Sequence, residues 1–276
     1  MVIGENPEKQ LQPYHEYECT GIEDEFVVFV PEDQKEIQEE YENHKNKYSD
    51  VDEFAKDWYG YTKNENGVYG RMTNPNSKWD WYQLGGRWTG YLKLKVDSTT
   101  QGVAGEQGIM TPRAKVGYCD QTLKKNIDIE SMVNHEVETS SKQYDIASSV
   151  INGESFESWD IVRERFYDTD KARSFYHNQK VIKRWSDSKL ISDNMGFFTK
   201  PSEFSMSKKD YLKQAADSAL TTFAVVKDSV WHEKGEMGWF ACVSHKKEQS
   251  EWNNEFMEMF NSLPEDTLIS IYDCHI

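Results

Sequence analysis

The sequence predicts an α+β protein: a mixed or antiparallel sheet built from N- and C-terminal strands, with a helical insertion. Three observations carry this. Short apolar or alternating runs cluster towards both ends of the chain. From about 120 to 200 the apolar residues recur at helical spacing. Residues 221–276 read as a β-β-α-β unit. The expected organisation is a single domain over 1–276, with 1–97 and 221–276 as a sheet lobe and 120–200 as the insertion.

Residues 14–19 alternate bulky and polar groups, which suits a strand, and Thr20-Gly21 signals a turn. Residues 26–30 (Phe-Val-Val-Phe-Val) form a second, more buried strand. Pro31-Glu32-Asp33 opens a helix, with acids favourable in its first turn. Ile37, Tyr41, His44 and Tyr48 follow at helical spacing. Ser49 or Asp50 caps a short helix through Phe54 and Trp58. Residues 60–90, rich in Gly, Asn and aromatics, read as an ordered loop leading into a strand at Trp88–Val96. There Leu92, Leu94 and Val96 alternate with Tyr91, Lys93 and Lys95. Residues 98–112 are a glycine-rich excursion. Short amphipathic helices then run to about 195. Ser207, with Asp210 three residues on, starts another helix to about Leu220. Thr221–Val226 and Val230–Glu233 are strands joined by a turn at 227–229, and Met237–Val243 is their partner. A helix at 248–262 ends before Pro264, and Thr267–Cys274 is the final strand.

The 276 residues include 37% apolar and 13% aromatic side chains, nine of them Trp, which argues for a folded chain. No apolar run approaches the roughly 20 residues that span a bilayer, so no membrane role is expected. The first ten residues lack the basic and apolar regions of a signal peptide. Cys19, Cys119, Cys242 and Cys274 are scattered, as reduced thiols of a cytoplasmic protein would be. The formal charge is −16. Residues 1–60 carry 17 acids and 5 bases, and residues 245–276 carry 7 acids and 2 bases. The middle is nearly balanced. This excludes broad nucleic-acid binding and leaves room only for a local basic groove. An acidic face on the terminal lobe is expected, either merely solvated or docking on a basic partner.

The chain has no Walker loop, G-x-G-x-x-G, G-x-S-x-G or H-E-x-x-H. Three motifs stand out instead: Tyr14-His15-Glu16-Tyr17-Glu18-Cys19-Thr20-Gly21, then Asn74-Pro75-Asn76-Ser77-Lys78-Trp79-Asp80-Trp81-Tyr82-Gln83-Leu84-Gly85-Gly86-Arg87-Trp88, then Glu233-Lys234-Gly235-Glu236-Met237-Gly238-Trp239. With a closing Asp273-Cys274-His275, they resemble an uncharacterised protein family of bacteria, their phages and other mobile elements. The resemblance covers both ends of the chain and transfers no catalytic role. It implies a cytoplasmic accessory protein of the kind that counters host immunity.

The binding candidates are Trp79, Asp80, Trp81, Tyr82, Arg87 and Trp88. Their rings can stack on a base, and Gly85-Gly86 lets a ligand approach the backbone. The competing structural reading fills a core corner with the rings and pairs Asp80 with Arg87. His232 and Glu233 are a candidate acid–base pair at a hairpin, against a plain polar turn. Asp273 and His275 share one strand face, which permits an Asp273–His275 pair, with His15 or Glu16 of a neighbouring strand as a further member, and disfavours a Cys274–His275 dyad. Lys180, Lys183 and Arg184 with Arg163, Arg165 and Arg173 form a basic cluster or an ordinary solvated face.

Three functions follow. The first is a non-catalytic acidic binder that antagonises a bacterial host defence protein with a basic surface. The second is an aromatic pocket that sequesters a small nucleotide signal. The third is a metal-assisted hydrolase or phosphodiesterase using His232, Glu233, Asp273 or His275. No cofactor is called for, and no metal-ligand spacing is evident.

Overall fold

Val2 and Ile3 are β-branched and almost fully buried, and they form strand β1 inside a sheet. The computed structural model describes residues 1–16, 25–98, 101–108, 114–196, 198–238 and 242–275. The fold is α+β. It divides into two compact units, Met1–Ile127 with Phe223–Lys246 and Pro264–Ile276, and Asp128–Thr222 with Lys247–Leu263.

In the first unit β1 is followed by α1 (Pro7–Leu11), β2 (Val28–Pro31), α2 (Gln34–His44), α3 (Val51–Tyr59), β3 (Thr62–Lys63) and β4 (Tyr69–Thr73). Then come β5 (Trp81–Gly86), β6 (Leu92–Lys93), β7 (Glu106–Gln107), β8 (Tyr118–Cys119) and β9 (Gln121–Leu123). The chain returns with β10 (Ala224–Lys227), β11 (Val230–Glu233), β12 (Glu236–Met237), β13 (Val243–Ser244), β14 (Leu268–Ser270) and β15 (Tyr272–His275).

Among the described residues the largest sheet has the order β11-β10-β1-β14-β9. β1 runs parallel to β10, with Val2 opposite Val226, and antiparallel to β14, with Val2 opposite Ser270. N- and C-terminal segments therefore share one mixed sheet, as expected. The N-terminal contribution is Val2–Ile3, however, not 14–19 or 26–30. Two residues offer no alternation to read. Tyr14 lies in a 3-10 turn, His15 makes an isolated bridge with Trp79, and 17–24 lie outside the described residues. The strand expected at 26–30 exists as β2, but it pairs with β4 in a separate sheet and is half exposed.

β10 and β11 form a hairpin whose turn residues Asp228 and Ser229 have φ of 53° and 61°. Two successive positive φ values match the twist of the flanking strands. The strand expected at Met237–Val243 is instead a short ribbon, β12 against β13, and 239–241 lie outside the described residues.

The final strand is two strands. β14 stays in the main sheet, while β15 pairs with β5, Tyr272 opposite Leu84 and His275 opposite Trp81. Ile271 is the crossing point. Its N–H donates to the Asp120 carbonyl (2.8 Å), and its carbonyl accepts from the Gly85 N–H (2.9 Å). Thr267–Cys274 reads as one strand because the apolar pattern continues through the switch.

Of the strand expected at Trp88–Val96 only β6 forms, and the stretch read as a loop before it contains β5. Gly85 and Gly86 end β5 with φ of 80° and 56°, and a Cβ on Gly86 would sit 2.5 Å from Asp273. β6 pairs with β8. Leu92 and Leu94 are buried as the alternation predicts, but Val96 is exposed. Asp120 ties these loops down. It is fully buried, and its carboxylate accepts from the N–H groups of Gly90 (2.6 Å), Tyr91 (3.4 Å) and Gly105 (2.8 Å).

Caps follow the sequence closely. Asp33 accepts from the Lys35 and Glu36 N–H groups to start α2, and Asp50 accepts from that of Glu53 to start α3. Ile37, Phe54, Ala55 and Tyr69 form the core beneath them, with Tyr41 and Tyr48 against it.

The second unit holds α4 (Ile129–Ile151), α5 (Trp159–Arg165), α6 (Thr169–Asn178), α7 (Lys180–Asp187), α8 (Lys189–Asn194), α9 (Lys208–Ser218) and α10 (Gln249–Asn261). Its core gathers Ala147, Val150, Trp185, Ile191, Met195 and Phe204. Residues 121–126 belong to β9 and a 3-10 turn of the first unit, so this unit starts at Asp128 rather than 120. It also takes in α10, whose Trp252 Nε1 donates to the Thr222 carbonyl (2.8 Å).

Asp120→Ala leaves three loop N–H groups without their acceptor. It is expected to lower stability by about 3 kcal/mol, whereas Val96→Ala changes it by less than about 0.5 kcal/mol. Urea melts of the two variants check this.

Candidate functional site

β5 alternates. Tyr82 packs with Tyr272 and Cys274 on the cluster of Val2, Leu11, Trp79 and Val226. Trp81, Gln83, Asp273 and His275 lie on the opposite face by strand parity. Trp79 is core, 6% exposed. Its Nε1 donates to the Leu11 carbonyl (3.1 Å), and its ring meets Tyr82 edge-on and His15 at a tilt. Trp81 and Trp88 are half exposed, at 52% and 53%. The aromatic segment is thus split between core and surface.

Arg87 pairs with Asp273, not with Asp80. Its Nη2 lies 2.6 Å from Asp273 Oδ1, its Nε donates to both carboxylate oxygens, and its backbone N–H reaches Oδ2 (2.8 Å). The reason is length. β5 separates residues 80 and 87, and six residues of strand span about 20 Å. The Gly85-Gly86 turn then folds Arg87 back over β15. Asp80, at the other end, meets His275 Nδ1 (3.1 Å). The pair expected between Asp273 and His275 is replaced by these two cross-strand pairs. Burial pushes the Asp273 carboxyl up, but the Arg87 hydrogen bonds and charge outweigh that and hold it below the ordinary range.

His232 sits on β11 opposite Val225 in the main sheet, away from the sheet of His275. Glu233 accepts from Lys78 Nζ (2.7 Å) and Trp231 Nε1 (2.8 Å). Among the described residues no group of three or more His, Cys, Asp and Glu side chains is placed to hold a metal ion.

The singled-out segments converge. Asn74 is buried, and its Nδ2 donates to the carbonyls of Pro13 (2.8 Å) and His15 (3.0 Å). The Lys78 N–H donates to the Tyr14 carbonyl (2.7 Å), and the Trp231 N–H to the Tyr14 hydroxyl (2.8 Å). Lys78–Glu233, Asp80–His275 and Arg87–Asp273 complete the set. Residues far apart in sequence therefore build one polar and aromatic seam in the first unit.

Beside β5 lies a cleft of about 480 Å³, lined by Glu8, Trp81, Tyr82, Gln83, Glu106 and Tyr272 among others. Burial, and then the charge of Glu8, raises the Tyr82 hydroxyl and pushes Tyr272 up to about 12. Sequence reasoning missed Glu8, Glu106 and Tyr272. Two acids among 48 carry no local signal, and Tyr272 looked like one more residue of an apolar strand.

In the second unit the basic cluster is largely paired. Lys180 and Arg184 share Glu154, Arg165 meets Glu157, and Arg173 meets Asp170. Cys119, Cys242 and Cys274 are free thiols. Burial pushes Cys119 up to about 12 and Cys274 up to about 11. No protein-family model matches the chain, and neither does any curated protein or solved structure.

The lowered Asp273 value ties stability to the ionised carboxylate. That contribution is present above about pH 4 and is lost as pH falls through the lower folded value. Arg87→Ala leaves the buried carboxylate without its guanidinium and is expected to cost about 3 kcal/mol at neutral pH. The gap from the parent should narrow in acid, where Asp273 protonates, in urea melts at several pH values. Separately, iodoacetamide near neutral pH should label exposed Cys242 and spare buried Cys119, read by peptide mass spectrometry.

Proposed function

We propose that the protein is a non-catalytic binder whose acidic surface docks on a basic partner. The carrying observation is the charge of the N-terminal helices. Residues 32–57 hold ten acidic and four basic side chains. Asp33, Glu36, Glu39, Glu42, Asp52, Glu53 and Asp57 are exposed, while Ile37, Phe54 and Ala55 face inward. An amphipathic pair with its acids outward raises the encounter rate with a positive surface and disfavours polyanions. The resemblance to phage and mobile-element proteins points to a bacterial host protein, one of its defences, as that partner.

Two other readings draw less support. A nucleotide pocket needs the rings and Arg87 together, but Trp79 is core and Arg87 spends Nε and Nη2 on Asp273. A hydrolase needs free carboxylates, but Glu233 and Asp273 each hold a cation.

Capture from a bacterial lysate followed by mass spectrometry tests the binder. A basic protein should be retained at low salt and released as salt shortens the Debye length below about 10 Å. The E36Q/E39Q/E42Q/D57N variant should lose it while melting at the parent temperature. No partner at low salt, or equal capture by the variant, overturns the reading.

A further inference from the structure

The cleft beside β5 has a chemistry of its own. Trp81, Tyr82, Gln83 and Leu84 are consecutive, and all four line it. Successive residues of a strand point to opposite faces, so a cleft touching all four runs along the strand's edge. β7 meets β5 at Gly85 and Gly86, Gly105 just before it lies close against the Leu84 backbone, and Glu106 of β7 forms part of the wall. Glu8 of α1 also lines the cleft. Three aromatic and two acidic residues thus line the space. The described lining residues include no Lys, Arg or His.

We propose that this cleft seats a single lysine or arginine side chain of the partner, its cationic head between Glu8 and Glu106 and its stem against Trp81, Tyr82 and Tyr272. This rests on the binder reading and narrows it to one contact. Aromatic faces carry negative potential and attract an ammonium or guanidinium group. The methylene stem of Lys or Arg covers apolar ring surface while its head stays polar. The volume suits a small group rather than a folded segment. The field of Glu8 already reaches Tyr82 and Tyr272, where it disfavours their ionised forms. The same field repels a phosphate, so a nucleotide is the poorer occupant.

The test is an NMR titration of the full chain with three probes: Nα-acetyl-arginine amide, Nα-acetyl-norleucine amide and AMP. The arginine probe should shift the Trp81 indole and the Tyr82 and Gln83 amide signals saturably. The norleucine probe, with a similar stem and no charge, should bind about tenfold more weakly, and AMP should leave these signals in place. E8Q/E106Q should weaken the arginine probe about tenfold at low salt, and Trp81→Ala about fivefold. Glu8, Glu106 and Trp81 are exposed, so these variants keep the fold. Equal binding of norleucine and arginine probes, AMP shifts at the same signals, or no response at all in the parent overturns the proposal. So does unchanged affinity in E8Q/E106Q. Should the cleft fail while the α2–α3 acids still govern lysate capture, only this proposal falls. Should capture fail while the probe titrates as expected, the protein-binding reading falls and the partner side chain with it, leaving the cleft a site for a free guanidinium or ammonium group.

Discussion

From Leu268 to His275 one continuous backbone serves two sheets, and the hand-over at Ile271 constrains much of the first unit. Asp120 supplies the carbonyl that receives the Ile271 N–H, and Gly85 donates to the Ile271 carbonyl. The Asp120 carboxylate then holds the loops carrying Gly90, Tyr91 and Gly105. A backbone that changes partners must have its polar groups satisfied on both sides of the change. Here one aspartate contributes its main chain to the crossing and its side chain to the loops around it. β15 is thereby aligned on β5, and that alignment places His275 by Trp81 and Asp273 by Gln83.

The acidic residues do two different jobs. Asp120 and Asp273 are buried, and each is saturated by donors: backbone N–H groups for the first, a guanidinium and an N–H for the second. Such carboxylates organise loops and strand ends, because leaving them unpaired in a low-dielectric setting is costly. The acids of α2 and α3 sit in water and contribute little to stability. Their value lies in the potential they project, and the carboxylates of Glu8 and Glu106 bring the same sign of charge to an aromatic cleft. Net charge alone would not separate these roles; burial does.

Local features were the most legible. Asp33, Asp50 and Ser207 cap helices where the sequence places them, since a cap depends on a side chain and N–H groups two or three residues away. The alternation of Leu92 and Leu94 also survives, because it needs one buried face only. The failures share a cause of the opposite kind. β1 is too short to show a period. The break at Ile271 is invisible because both sheets bury its neighbours. Closeness in sequence pairs Arg87 with Asp80, but an intervening extended strand drives the two apart and brings in Asp273 from the far end of the chain.

The sequence by itself determined the fold class, the caps that open three helices, and the concentration of acid towards the ends. All of these follow from composition, period and local hydrogen bonding. Only the tertiary structure decided which side chains meet, Lys78 with Glu233, Arg87 with Asp273 and Asp80 with His275, and which residues line one cleft, Glu8 with Tyr82 and Tyr272. The pairs and the cleft bring together residues up to 264 positions apart. Their partners are set by strand register and crossing points, which no local pattern encodes.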